Sequence, residues 1–427
     1  MKKLLLSLLF LGGVMLGASF KSINISGVDI PLIYEKSSII PTGAIQLIFA
    51  NSGSAYNNGT HGLAYLSSRI LNEGTKDLGS VGFAQLLEEK AISLSVASSQ
   101  EFLEFHLSFL KEQEDTSINL LSLLFDSPNL TQDTLQKVKD REIAALLAKE
   151  SDFDYLASSG LSQLLFKNTP LQYPRQGTIS SIQAITLDQI QTYLKNAMTL
   201  SHLYLVIGGD LDIDATIEKL TPLLQKLPVG TPKVSQTFAA NPTPQTKTQY
   251  KQTQQAYIYF GAPFNLKNYQ EQSHKVKVMS FILGSSGFGS RMMEEIRVKN
   301  GLAYSAYLRI NLTSLANYTS GYLQTKVANQ NQSIELVKKV VADFIANGAT
   351  QEELDSAKKF LLGSEPLRNE TLTQRINTAF ANYYKGLPLD YNKQELEKIA
   401  NLTLQDLNAF IKAHKEILEM SFSIVTQ

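Results

Sequence analysis

The stretch Gly62-Leu63-Ala64-Tyr65-Leu66-Ser67-Ser68-Arg69-Ile70-Leu71-Asn72-Glu73-Gly74-Thr75 decides how this chain is read. Leu63, Leu66, Ile70 and Leu71 recur at helical spacing, which predicts a helix with one buried face. Tyr65, Ser68 and Arg69 fall together on a second face, because residues three and four apart are neighbours on a helix. Gly74 supplies the C-cap that ends such a helix. The second face is poor in metal-binding groups. Arginine cannot ligate a cation, tyrosine is a weak neutral ligand, and serine has no basic carboxylate.

Outward from this helix, 427 residues predict two or more domains. Lysine plus arginine and aspartate plus glutamate number 39 each, so no net field points to nucleic acid. Lys2 and Lys3 followed by the apolar run Leu4 to Leu16 read as a signal peptide, with small residues at Gly17, Ala18 and Ser19 for cleavage. The alternative is an uncleaved anchor, against which the shortness of the run argues. No later run reaches membrane-spanning length. The chain has no cysteine, which excludes disulfides, thiolate metal sites and a lipidated N-terminal cysteine. A bacterial exported protein, periplasmic or secreted and with no membrane attachment after signal removal, is the simplest expectation.

In chain order, strands are expected at Ser22–Ile25, Ile30–Tyr34 and Gly43–Ala50. Ser93–Ser98, Phe102–Phe109, Leu203–Ile207 and Ala256–Phe260 read likewise, with helices between. Pro228, Gly230, Pro232, Pro242 and Pro244 mark a linker. The chain also repeats itself. Ile185-Thr186-Leu187-Asp188-Gln189-Ile190 matches Leu402-Thr403-Leu404-Gln405-Asp406-Leu407 at an offset of 217, which also carries Leu203–Ile207 onto Met420–Ile424. Thr131-Gln132-Asp133-Thr134-Leu135 resembles Thr350-Gln351-Glu352-Glu353-Leu354 at an offset of 219. Three matches at nearly one offset favour duplication. The expected organisation is a signal peptide over 1–18, one half over 19–230, a linker over 231–252 and a second half over 253–427.

In frame and length, Gly62–Thr75 resembles the zinc-binding helix of the pitrilysin-type (M16) metallopeptidases, the group that includes insulinase and the mitochondrial processing peptidases. Their segment reads Gly-x-Ala-His-x-x-Glu-His and closes on Gly-Thr. There two histidines hold zinc and the glutamate acts as general base. Tyr65 and Arg69 occupy the histidine positions here, and Ser68 occupies the glutamate position. The family's third ligand is a glutamate on a downstream helix, which the segment Asp140–Leu147 resembles. An ungapped alignment puts Leu147 at the ligand position, with Glu150 as the nearest carboxylate. His61 lies four residues before Tyr65 and reads as an ordinary helix-start histidine, with no ligand pair at useful spacing. No metal is expected in this chain.

A second stretch, Gly284 to Ser305, carries Gly284, Gly287 and Gly289 but no Gly-Lys-Ser/Thr and no preceding strand, which argues against a phosphate loop. The run Ser290-Arg291-Met292, Glu295-Ile296-Arg297 and Gly301-Leu302-Ala303-Tyr304-Ser305 is similar to the M16 signature Ser-Arg-Leu, Glu-Ile-Arg, Gly-Leu-Ala-Tyr-Ser. In that family the arginine and the tyrosine seven residues later bind substrate backbone and steady the tetrahedral intermediate. Arg297 and Tyr304 keep that spacing. A guanidinium and a phenol are suitable donors for an oxyanion. The plainer alternative makes Arg297 a solvated helix charge and Tyr304 a strand residue at the domain edge.

The resemblance implies an α+β fold of two homologous α/β domains, LuxS/M16 metallohydrolase-like, each a mostly antiparallel sheet with helices packed on one face. It further implies a non-catalytic subunit of a heterodimeric M16 peptidase. Such a chain has no activity alone and contributes substrate-binding residues to a partner that carries zinc. Peptides or unfolded proteins would be its substrates. The alternative is a catalytically inactive binding or scaffold protein on the same fold.

Overall fold

The computed structural model describes residues 17–57 and 59–427, so the leader expected over 1–18 lies outside the described residues apart from Gly17 and Ala18. Two sheets organise the chain. The first contains β1 (Ser19–Ile25), β2 (Val28–Lys36), β3 (Thr42–Phe49), β4 (Ser93–Ser98), β5 (Leu103–Leu110) and β6 (Leu203–Gly209), in the order β1-β2-β6-β3-β5-β4. The second contains β7 (Thr246–Tyr250), β8 (Gln255–Pro263), β9 (Ala303–Leu312), β10 (Asn317–Lys326) and β11 (Ser421–Thr426), in the order β7-β11-β8-β10-β9. Apart from β1, the two orders correspond strand for strand. Each sheet has a single parallel pair at the same place, β2 with β6 and β7 with β11, and its other pairs are antiparallel.

The first half carries α1 (Leu63–Leu71), α2 (Gly79–Glu88), α3 (Glu114–Asp126), α4 (Gln132–Lys149), α5 (Phe153–Leu165), α6 (Ile179–Ala184), α7 (Leu187–Ala197) and α8 (Ile213–Leu224). The second carries α9 (Tyr269–Ser280), α10 (Arg291–Met293), α11 (Gln330–Asn347), α12 (Gln351–Gly363), α13 (Glu365–Arg368), α14 (Leu372–Tyr384), α15 (Tyr391–Asn401) and α16 (Leu404–Ala413). The threonines of the repeat are helix caps. Thr186 and Thr403 accept from the backbone N–H three residues on at α7 and α16, and Thr131 and Thr350 do so at α4 and α12. The offset of 219 that relates the last pair also carries the limits of α5 onto those of α14.

Each sheet packs one face on helices of its own half, forming two large apolar cores. The other face is not open, and here the expectation of one-sided cover is corrected. Helix α14 of the second half lies on β2 and β6, where Ile376, Ala379 and Phe380 meet Ile33, Ile48 and Val206. Helix α5 of the first half lies on β8 and β11, and Leu161, Leu165 and Phe166 join Leu315 and Ala316. The reason is in the strands. Leu32-Ile33, Leu47-Ile48-Phe49 and Leu205-Val206-Ile207 are unbroken apolar runs, and such runs need cover on both faces. Gly160 permits the close approach of α5, since a Cβ there would fall 2.2 Å from the Ser423 hydroxyl.

The expected linker over 231–252 is shorter in the structure, because β7 begins at Thr246 and pairs with β11. The remainder is extended and tied down. The Asn51 side-chain N–H donates to the Lys233 carbonyl at 3.0 Å, and Phe238 N donates to the Leu315 carbonyl at 2.6 Å.

Candidate functional site

Helix α1 buries Leu63, Leu66, Ile70 and Leu71 in the first core, as their spacing predicts. Gly62 precedes it with φ of 87°, and Gly74 follows with φ of 74°. A Cβ on Gly74 would meet the Gly79 carbonyl at 2.4 Å, so the turn requires glycine. Asn72 pins the helix to the sheet. Its amide donates to the Ser68 and Val96 carbonyls, both at 2.7 Å, and accepts from Val96 N at 2.9 Å.

The second face of α1 closes on a carboxylate from α4. The Tyr65 hydroxyl donates to Glu142 Oε2 at 2.9 Å, and Arg69 Nε donates to Glu142 Oε1 at 3.0 Å. Ser68 spends its hydroxyl on the Tyr65 carbonyl of its own helix at 2.8 Å. Two guanidiniums flank the Tyr65 ring, Arg69 at 5.5 Å and Arg175 at 5.7 Å from its centroid. The charge pairing continues along the helices. Arg141 Nε stands 3.5 Å from Glu142, and its Nη1 donates to Glu73 at 2.7 Å, where Lys137 also donates at 2.8 Å.

Burial by itself raises the pKa of Glu142, but hydrogen bonds from Arg69 and Tyr65 and the charges of Arg69 and Arg141 outweigh it and hold the carboxyl below the usual range. Glu73 is lowered in the same way, burial being outweighed by Lys137 and Arg141. The Tyr65 hydroxyl is raised, by burial first and then by its bond to Glu142.

Leu147, aligned with the third ligand in the sequence, is not part of this cluster. Its side chain is 52% exposed, and Glu150 beyond it is also exposed. The carboxylate that meets Tyr65 and Arg69 is Glu142, five residues earlier. The correction follows from the helix. The inward stripe of α4 is Leu135, Val138, Glu142 and Leu146, and five residues from Glu142 turn Leu147 well away from that face. A charged residue inside an apolar stripe was the signal in the sequence that could have found it.

These residues do not fit a zinc ion. Glu142 is the one ionised oxygen ligand of the three, both its oxygens already have donors, and the Arg69 guanidinium brings a positive charge of its own. Among the described residues, no group of three or more His, Cys, Asp or Glu side chains is placed to hold a metal. His61 lies at the start of α1 with its ring stacked on Tyr173, centroids 3.5 Å apart.

The second cluster has a different character. Arg291 forms a paired contact with Glu353 at 2.7 and 2.8 Å and donates to the Gly348 carbonyl, so it is structural. After α10 the helix widens into a π turn over Glu294–Lys299, which carries Arg297. The Arg297 guanidinium lies over two rings, 4.6 Å from the centroid of Phe288 and 4.5 Å from that of Tyr304. Among the described residues it has no carboxylate partner, and Tyr304 is 83% exposed. Phe288 was not singled out from the sequence. It reaches Arg297 from a loop in which Gly287 and Gly289 take φ of 71° and 87°. The structure brings Arg297 and Tyr304 together, and brings Tyr65, Arg69 and Glu142 together, with no hydrogen bond or ion pair among the described residues joining the two groups.

Residues 33–179 match the profile described as Insulinase (Peptidase family M16), and residues 184–361 match that described as Peptidase M16 inactive domain. A Helicobacter pylori protein described as non-peptidase homolog YmxG is 50% identical over 429 residues, covering 100% of this chain and 99% of its own. A solved Pseudomonas fluorescens peptidase M16 inactive domain aligns with a TM-score of 0.85 at 22% identity, over 96% of this chain and 98% of that one. A chain of Candida albicans complex III aligns with a TM-score of 0.77 at 15% identity, over 95% of each. The chain therefore belongs to the M16 peptidase family, as a member in which Tyr65 and Arg69 of helix α1 are closed on Glu142.

Proposed function

We propose that this chain is the non-catalytic subunit of a two-subunit M16 peptidase, and that Arg297 and Tyr304 bind peptide at a zinc site supplied by the partner. The observation that carries this reading is the contrast between the two clusters. Around Glu142 the carboxylate is met by Tyr65, Arg69 and Arg141, and Arg175 is spent on the Ser98 carbonyl, whereas Arg297 and Tyr304 leave their donors open. The rings of Phe288 and Tyr304 fix the guanidinium in place without using its N–H groups. A donor pair held in this way is suited to a carbonyl oxygen that gains charge. The partner supplies zinc and the general base. Export to the periplasm, as the leader suggests, places the pair among extracytoplasmic peptides. The Helicobacter protein described as a non-peptidase homolog fits a chain without activity of its own.

The test is purification from the native cell envelope, identification of a copurifying M16 chain with an intact zinc motif, and a peptidase assay of the complex. Arg297→Ala is expected to lower turnover by about 10²–10³, or about 3–4 kcal/mol of transition-state stabilisation, more than it raises KM. Tyr304→Phe lowers it less. Size-exclusion chromatography should show both variants still assembled. Unchanged turnover in an intact complex carrying both substitutions would reject the shared site. It would favour the second reading, an inactive scaffold, with which the fold shared with a chain of Candida albicans complex III is compatible.

A further inference from the structure

A cavity of about 590 Å³ opens on the first half and is lined by none of Tyr65, Arg69, Glu142, Arg297 or Tyr304. Its volume is in the range of small-molecule sites. Three segments distant in sequence form its wall: the turn before α1, the turn at Asn168–Tyr173, and the extended chain at Lys233–Gln236.

Asn57 lines this cavity, is 6% exposed, and has no partner among the described residues for either its side-chain N–H₂ or its side-chain oxygen. A buried amide with neither bond made is a cost to the folded state, and such groups call for an explanation. An amide donor beside an amide acceptor matches the C=O and N–H of a peptide group.

Lys233 lines the same cavity. Its Nζ donates one hydrogen to the Asn51 carbonyl at 3.3 Å and keeps two. No Asp or Glu is among the described lining residues, and the carboxylate that acts on Tyr56 from outside the lining, Glu101, is partly buried and has its pKa raised by that burial. The Tyr56 hydroxyl accepts from Gln236 N at 3.1 Å and keeps its own hydrogen to donate. His61 is stacked on Tyr173 and covers one face of that ring, which removes half of the platform a sugar would use. Burial lowers the His61 pKa, so the ring adds no second charge at neutral pH.

We propose that this cavity binds the carboxyl end of a short peptide. The terminal carboxylate lies against Lys233 and Tyr56, and the preceding peptide group lies against the Asn57 amide. The site stands apart from the Arg297–Tyr304 cluster and is present whether or not the chain has a catalytic partner.

The test is calorimetric titration of the purified full chain with N-acetyl dipeptides varied at the last residue, in free-acid and C-terminal amide forms, and with free alanine. The free acids are expected to bind at least about tenfold more tightly than their amides, the difference a charge-assisted hydrogen bond gives. Free alanine, which lacks the peptide group, should bind more weakly than the acetylated dipeptides. Lys233→Met should abolish the preference for the acid, and Lys233→Arg should restore part of it. Asn57→Leu should weaken binding at least about tenfold while raising the melting temperature of the free chain, because the orphan amide is gone. Equal binding of acids and amides, binding unchanged in Lys233→Met and Asn57→Leu, or no binding of any probe at millimolar concentration would each overturn the proposal.

Discussion

Glu142 stands in a stripe of aliphatic residues on α4, and its carboxylate is satisfied by Tyr65 and Arg69. The Arg69 guanidinium supplies the positive charge that meets this carboxylate. Arg69→Met leaves a buried carboxylate with Tyr65 and Arg141 as its remaining neighbours, and is expected to cost about 1–2 kcal/mol at neutral pH. The sign with pH follows from the lowered pKa. Glu142 is depressed below its ordinary 4.5, so its stabilisation is complete above that value and is lost as pH falls through the folded-state value. Urea denaturation should therefore show a gap between parent and variant that narrows as pH falls below the ordinary 4.5 and through the depressed folded-state value. The combined change Tyr65→His, Ser68→Glu and Arg69→His places two imidazoles against Glu142, a third ligand already present. This variant is expected to take up about one zinc per chain, since three protein ligands make a catalytic-type site. Chelator should lower its melting temperature and leave that of the parent unchanged. Zinc content and melting, rather than hydrolysis, are the readouts, because imidazoles also need partners that orient them. Tyr65, Ser68 and Arg69 were legible in the sequence because helix phase placed them on one face. Glu142 was missed because the distance from one helix to the next depends on loop lengths that an ungapped count ignores.

Elements were legible where caps or periodicity marked them, and their partners were less so. The threonine caps of α4, α7, α12 and α16 and the alternation in the strands can be read locally. Which helix covers which sheet is a contact between residues far apart in the chain, such as Val206 with Phe380, and no local pattern records it. The unbroken apolar runs of β2, β3 and β6 announced a second covered face without saying what covers it. Helix α5 offers a test at this scale. Gly160 lets it sit against β11, and a larger side chain must displace the Ser423 hydroxyl. Gly160→Val is expected to cost about 1–3 kcal/mol by overpacking, a cost that the better helix propensity of valine over glycine offsets only in part. Gly363→Ala, in a helix where a Cβ meets nothing within 4 Å, serves as the control and should not destabilise. Thermal denaturation of the two variants separates close packing from backbone entropy.

At the scale of the molecule, α5 and α14 make each half a cover for the other. The faces they bury, around Ile33, Ile48 and Val206 on one sheet and around Tyr259 and Tyr318 on the other, cannot meet water without exposing core side chains. The full chain is therefore expected to unfold in one calorimetric transition despite its two sheets. A fragment ending before β7 should bind a hydrophobic dye and aggregate, whereas mixing it with the complementary fragment should restore solubility. Two separate transitions in the full chain would show that the helix exchange does not couple the halves. The duplication was legible from three short matches, but this reciprocity was not, since it belongs to neither copy alone. It bears on how such a gene can change. A duplicated enzyme is often free to discard the copy whose chemistry has lapsed. Here deletion of the first half would strip α5 from the second sheet and leave its apolar face open. The half that carries Arg297 and Tyr304 therefore keeps its covered sheet only while the half in which Arg69 stands opposite Glu142 stays attached, so substitutions can accumulate residue by residue in the first half without its becoming dispensable as a domain.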